Sequence, residues 1–132
     1  MKYLLDTCVI SDFIKNIGDT INMVKNTNPL LIGVSSITTM EIYYGLEHSP
    51  EKAKKIAPMI YDFLSIIKII PFTDEEAKNA GHIRSVLRAK GSPIGPYDFM
   101  IAATALHHNL TLVTSNINEF KRIENLPVVN WR

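Results

Sequence analysis

A chain of 132 residues is long enough to bury one core and too short for two ordinary domains. With 46% hydrophobic and 20% charged residues and a formal net charge of +1, it lies among ordinary globular proteins and outside disordered or collagen-like compositions; any nucleic-acid binding would have to rest on local charge. The single cysteine, Cys8, excludes an internal disulfide and a cysteine zinc cage, fits a reducing compartment, and reads as a small buried hydrophobe.

Met1-Lys2-Tyr3-Leu4-Leu5-Asp6 reaches an acid too soon for a secretory leader, and no apolar run approaches the roughly 20 residues that span a bilayer, so no membrane association and a cytoplasmic location are expected. Tyr3 to Leu5 is predicted as a short buried strand stopping at Asp6, and Cys8 to Lys15 carries helical spacing. Gly18-Asp19-Thr20 reads as a turn, Ile21 to Lys25 as helix, Asn26 to Pro29 as loop, and Leu30 to Val34 as a second buried strand, with a third helix after Ser35-Ser36. Pro50 opens a long amphipathic stretch ending near Ser65, and Ile66 to Ile70 is β-rich. Thr73-Asp74-Glu75-Glu76 is a capping box leading a helix to about Ala89. After the turn-rich loop Gly91 to Gly95, Pro96 suits the first turn of a helix to His108; Leu110 to Thr114 is another buried strand, and Val128-Val129 a last short one.

Buried strands alternating with helices predict an α/β fold over residues 1–132: a three-layer sandwich whose mainly parallel central sheet is flanked by helices. In such sheets ligands bind outside the carboxyl ends of the strands, near the point where strand order reverses. Four acids fall at strand-exit or helix-entry positions: Asp6, Glu41, Asp98 and Glu119. Converging carboxylates repel one another unless a proton or cation neutralises them, and oxygen ligands without His or Cys favour Mg²⁺ or Mn²⁺, a chemistry suited to phosphodiester cleavage.

Each acid also has a plainer explanation. Thr38-Thr39-Met40-Glu41 fits a capping box, so Glu41 could serve only its helix. Asp98 could complement a helix dipole, Asp6 could cap the next helix, and Glu119 could be an exposed acid beside Lys121 and Arg122. For Asp6 the plain account is weakest, because a carboxylate ending a buried strand is costly without a partner.

Leu4-Leu5-Asp6-Thr7-Cys8-Val9-Ile10, Thr39-Met40-Glu41-Ile42-Tyr43-Tyr44-Gly45, Ile94-Gly95-Pro96-Tyr97-Asp98-Phe99-Met100-Ile101-Ala102-Ala103-Thr104-Ala105 and Leu112-Val113-Thr114-Ser115-Asn116-Ile117-Asn118-Glu119-Phe120, with the Asn130-Trp131 ending, resemble in order and spacing the motifs of PIN-domain ribonucleases of the VapC toxin type. The resemblance covers essentially the whole chain. It implies a PIN-like fold and Asp6, Glu41 and Asp98 as metal-binding catalytic acids, with Thr7 and Thr114 as hydroxyl partners. Many PIN domains carry an Asp where Asn116 stands; here Asn116 supplies no charge, and Glu119 is the candidate fourth catalytic acid.

The same resemblance implies Mg²⁺- or Mn²⁺-assisted attack of water on a phosphodiester, leaving a 5′-phosphate and a 3′-hydroxyl. It also implies a VapB-like antitoxin partner, a homodimer within a larger assembly, contact with operator DNA only through the antitoxin, and a structured RNA substrate such as a tRNA. A competing reading, prompted by Asn116, is a catalytically weak PIN module acting as antitoxin partner and co-repressor. A flap-cutting DNA nuclease ranks last, since the short chain lacks elements for threading a flap.

Arg84, Arg88, Lys121 and Arg122 are candidate RNA contacts, set against the plain reading of a solvated face. Tyr43 and Tyr44 are expected to pack into a core or interface rather than to stack on bases. Neighbours on a helix diverge by about 100°, so His107-His108 is not expected to chelate one ion, and His48 and His82 stand alone; no zinc site is expected.

Overall fold

In the computed structural model, which describes residues 1–132, the strands are β1 (Tyr3–Leu5), β2 (Ile32–Ser35), β3 (Lys68–Ile70), β4 (Thr111–Val113) and β5 (Val128–Val129). The helices are α1 (Thr7–Lys15), α2 (Thr20–Lys25), α3 (Ser36–His48), α4 (Pro50–Ile66), α5 (Asp74–Ala89), α6 (Pro96–His107) and α7 (Ile117–Phe120). All five strands pair in parallel in the order β3-β2-β1-β4-β5.

Successive strand residues point to opposite faces, and a parallel sheet has to cover both. Leu4 and Leu112 accordingly enter one core with Ile83, Leu87, Ile101 and Phe120, beneath α5, α6 and α7. Leu5, Val113, Ile32 and Val34 enter the other with Val9, Ile42, Ile60 and Phe63 from α1, α3 and α4. The result is the predicted α/β three-layer sandwich, with a sheet that is wholly rather than mainly parallel. No helix is long and apolar enough to cross a membrane.

Several boundaries differ from the sequence expectation for local reasons. Leu30 and Leu31 form a 3-10 turn with Pro29 instead of opening β2: the Asn28 side chain accepts from Leu30 N at 3.0 Å, and Leu30 is 78% exposed. Ile66 closes α4, so β3 begins only at Lys68. The Thr73–Glu76 capping box forms as predicted. The one proposed over Thr38–Glu41 does not, because α3 already begins at Ser36, where Ser35 Oγ accepts from Ile37 N at 3.0 Å. Glu41 therefore lies inside the helix and caps nothing. Tyr43 and Tyr44 enter neither core; they are 44% and 69% exposed, beside Tyr61 and His48.

The last residues tie down α1. Trp131 is buried edge-on against Tyr3, with ring centroids 5.0 Å apart. Arg132 grips buried Asp12 through two bonds, Nη2 to Oδ1 at 2.8 Å and Nε to Oδ2 at 3.1 Å. Gly18 takes φ +62°, and a Cβ there would lie 2.8 Å from Arg132, so this turn requires glycine twice over. Arg132→Ala leaves Asp12 buried without its cation and is expected to lower stability, while Trp131→Ala costs about 3–5 kcal/mol. Urea unfolding checks both, and an unchanged midpoint for Arg132→Ala would show the pair to be ornamental.

Candidate active site

Strand order reverses between β1 and β4, which opens a crevice at their carboxyl ends. Leu5 stands opposite Val113, so Asp6 and Thr114 are the next residues beyond the paired strands. Asp6 N donates to Val113 O at 2.9 Å. Its side chain caps α1, with Oδ1 accepting from Thr7 N at 2.8 Å, and Oδ2 accepts from Thr114 Oγ1 at 2.8 Å. Asp6 is 3% exposed and Thr114 fully buried.

Cys8 is half-buried rather than sealed in the core. Its sulfur lies 3.5 Å from Asp6 Oδ2, 3.5 Å from Thr114 Oγ1 and 3.4 Å from Ser115 Oγ, a set of contacts the sequence reading missed. Its place two residues after Asp6, in the first turn of α1, was the available signal. Burial and the Asp6 charge together push its thiol up.

Glu41, half-buried in α3, accepts from Thr7 Oγ1 at 2.7 Å, and that hydroxyl lies 3.2 Å from Thr38 Oγ1. Thr7 thus joins the start of α1 to the Glu41 helix. Asp98 is in the first turn of α6, behind Gly95. A Cβ on Gly95 would come within 3.1 Å of Asp98 Oδ2, so glycine leaves the carboxylate its space. Glu119, in α7, hydrogen-bonds the Asp98 carboxyl.

These four acids sense one another. Burial, then the Asp6 and Glu119 charges, the hydrogen bond to Glu119 and the Glu41 charge push the Asp98 carboxyl up to about 7. Asp6 is also raised: burial outweighs the hydrogen bonds from Thr114, Thr7 and Cys8, and Glu119 adds to the shift. None of the chain's ion pairs involves Asp6, Glu41, Asp98 or Glu119. Carboxylates gathered without a basic partner hold protons until a cation replaces them, and the all-oxygen donor set suits a hard divalent ion. Asn116 is exposed and engages the cluster only through its backbone, whose N–H donates to Thr114 Oγ1 at 3.0 Å.

Arg84 and Arg88, exposed on α5, line a cavity of about 500 Å³ with Pro93, Ile94, Pro96 and Phe99. None of the four acids lines it; it adjoins them through the start of α6. The Arg84 guanidinium lies 5.7 Å from the Phe99 ring centroid, and Arg122 reaches Pro93 O at 3.5 Å. Lys121 is exposed just past α7. A second cavity, of about 330 Å³, runs between α1, α3 and α4, with Thr7 and Glu41 among its lining and Ile10, Ile14, Leu46 and Ile56 as its apolar walls.

The two adjacent histidines sit at the end of α6, as expected. His108 is the C-cap of α6, no longer in regular helix, and its ring stands edge-on to that of His107 with centroids 4.9 Å apart. Both rings meet the first turn of α5, at Glu75 and Glu76.

The PIN-domain family profile matches residues 3–126. The chain is 37% identical over 131 residues to a tRNA(fMet)-specific endonuclease VapC from Salmonella typhimurium, covering 99% of this chain and 98% of that protein. It is 39% identical to ribonuclease VapC2 from Haemophilus influenzae, with the same coverage. Among solved structures, DNA-bound VapBC from Salmonella typhimurium superposes with a TM-score of 0.91 at 36% identity, covering 100% of this chain and 99% of that one. VapBC2 from Rickettsia felis, bound to a promoter DNA fragment, superposes with a TM-score of 0.87 at 37% identity over the full length of both chains.

Because the folded chain holds the Asp98 proton more tightly than an unfolded one, this group favours folding at low pH. That contribution fades as pH rises from about 4, the ordinary carboxylate value, through about 7. Asp98→Asn should therefore stabilise the metal-free chain near pH 8 by about 1 kcal/mol after allowance for solvent screening, or about 3–5 °C in Tm, with little gain near pH 4. Calorimetry at the two pH values decides; an unchanged or lower Tm at the higher pH would contradict the electrostatic reading.

Proposed function

The chain belongs to the PIN-domain family, as its full-length match to VapC ribonucleases requires, and from this we infer that it is a metal-dependent endoribonuclease, the toxin of a type II toxin–antitoxin pair, acting on a structured RNA of the tRNA class. The observation that carries the reading is the cluster of Asp6, Glu41, Asp98 and Glu119 at the strand-order reversal, with Asp98 pushed up to about 7 and no basic residue in reach of an ion pair.

Asp6, Glu41 and Asp98 are the residues that would hold the cation, with Glu119 supplying the further negative charge beside Asp98. Bound there, Mg²⁺ or Mn²⁺ supplies the positive charge that makes a water more acidic and offsets charge developing on the phosphate. The protein's contribution is orientation. Thr114 Oγ1 fixes one oxygen of Asp6 while the α1 backbone fixes the other, and Thr7 Oγ1 fixes Glu41, so these carboxylates present one arrangement to the ligand. Arg84, Arg88, Lys121 and Arg122 lie where they can neutralise flanking phosphates of the RNA. Cleavage leaves a 5′-phosphate and a 3′-hydroxyl.

The partner is a VapB-like antitoxin, as in the VapBC complexes this chain resembles. The apolar groove between α1, α3 and α4 fits an amphipathic helix or arm, and because Thr7 and Glu41 line it, an occupant would cover the site. Exposed Tyr43, Tyr44, Met59 and Tyr61 supply the surface for a homodimer in the larger assembly. Operator DNA is met through the antitoxin. The reading as a catalytically weak binding module rested on the missing acid at Asn116; Glu119, whose charge acts on Asp98, is the acid we assign to that place.

Purified chain with Mg²⁺ or Mn²⁺ should cut tRNA at discrete positions, and EDTA should stop it. Asp6→Asn is expected to lower cleavage by on the order of 100-fold or more, and Glu119→Gln by about 10- to 100-fold, both with an unchanged fold. Sequencing of fragment ends names the substrate. Cleavage that survives Asp6→Asn, or folded antitoxin-free protein that cuts no RNA, would overturn the assignment.

A further inference from the structure

We propose that Glu76, His107 and His108 form a second metal site, of the zinc type, at the opposite end of α6 from the acidic cluster. One ligand atom from each residue lies within 4.8 Å of those of the other two. Two imidazoles and one carboxylate are a donor set that zinc takes readily, with a fourth position left for water. The set is also softer than the all-oxygen cluster around Asp98, so the two ends of α6 select different ions. His107 is nine residues from Asp98, about 13 Å along the helix at 1.5 Å per residue, too far for the sites to share ligands.

The site is built rather than merely adjacent. Glu76 is 3% exposed and is held by the α5 cap, accepting from Thr73 N at 3.0 Å and from Thr73 Oγ1. Its other oxygen, Oε1, faces His108 Nε2 at 3.0 Å. His107 has a partner at each nitrogen, Asn79 Nδ2 at 3.3 Å from Nδ1 and Glu75 Oε2 at 2.9 Å from Nε2. With Nδ1 taking the ion in place of Asn79, Nε2–H donates to Glu75 Oε2, a partner that sets the ring plane as ligand histidines require. No lysine or arginine pairs with Glu75 or Glu76, whereas Lys78 pairs with Asp74 alongside.

Without an ion the same groups make a hydrogen-bonded clasp between the start of α5 and the end of α6. Mutual separations of up to 4.8 Å exceed the spacing of ligands around zinc, so small rotations of the half-exposed rings are needed to close them on one. Bound zinc would then join the two helices at that end.

The test separates this site from the acids. Zn²⁺ titration by calorimetry is run on the full chain carrying Asp6→Asn and Asp98→Asn, which disables the acidic cluster, and on the same chain with His107→Ala and His108→Ala added; circular dichroism checks that each is folded. One equivalent of Zn²⁺ is expected in the first, weakened by on the order of 100-fold or more in the second, with visible d–d absorption of tetrahedral Co²⁺ appearing only in the first. The milder His108→Gln in the same background should reduce affinity and keep the fold. Absence of Zn²⁺ binding in the cluster-disabled chain, or affinity unchanged by loss of the histidines, would overturn the proposal.

Discussion

Four carboxylates meet at one edge of the sheet, and no basic side chain answers them. Everything near that edge is arranged to tolerate this repulsion in the folded chain. Asp6 takes hydrogen bonds from the backbone of α1 and from Thr114; Glu41 takes one from Thr7; Asp98, pushed up to about 7, gives up its proton less readily than an ordinary carboxyl. Each device offsets part of the electrostatic cost without cancelling the charge. A buried arginine would have cancelled one of these charges permanently and weakened the pull on a cation.

The strand order makes the meeting possible. With β1 central and its neighbours β2 and β4 leading to helices on opposite faces, Asp6 leaves the sheet where α1, α3, α6 and α7 all start or pass. Asp6 and Thr114 come side by side because Leu5 and Val113 are in register, and the same alternation that sends Leu4 and Leu5 to different cores fixes that register. Slippage of β4 by one residue would turn Val113 towards the wrong layer and carry Thr114 away from Asp6. Packing and site geometry are thus one constraint read at two places.

How much of this the sequence carried depends on the range over which each feature is decided. The buried strands Tyr3–Leu5 and Thr111–Val113 and the Thr73–Glu76 capping box are local, and their residues announce them. Acids at strand exits could be picked out because a carboxylate after an apolar run is costly to place. The bond between Thr7 and Glu41, 34 residues apart, and the grip of Arg132 on Asp12, 120 apart, depend on helix packing that no local pattern encodes. The partners of the two helix-end histidines are likewise set at long range. The 100° rule holds inside a helix, but His108 has already left regular geometry as the C-cap, and its partner Glu76 comes from a different helix. Leu30 failed more simply: apolar character suggested a strand, and Asn28 with Pro29 imposed a turn.

The residue that most departs from the family pattern is Asn116, which brings no charge of its own to the start of α7. Asn116 is the N-cap of this four-residue helix and Glu119 is three residues further on. The N-cap side chain and the one three residues on meet at a helix start, as they do in a capping box, so an acid at either position can approach the same neighbourhood. Glutamate adds one methylene of reach over aspartate, which helps a side chain set back by most of a turn. The helix itself is held by Phe120, fully buried in the core beside Ile101, so the direction of Glu119 is settled by packing and not by a mobile loop. A carboxylate three residues beyond the N-cap brings negative charge to this end of α7, while the backbone N–H of Asn116 holds Thr114.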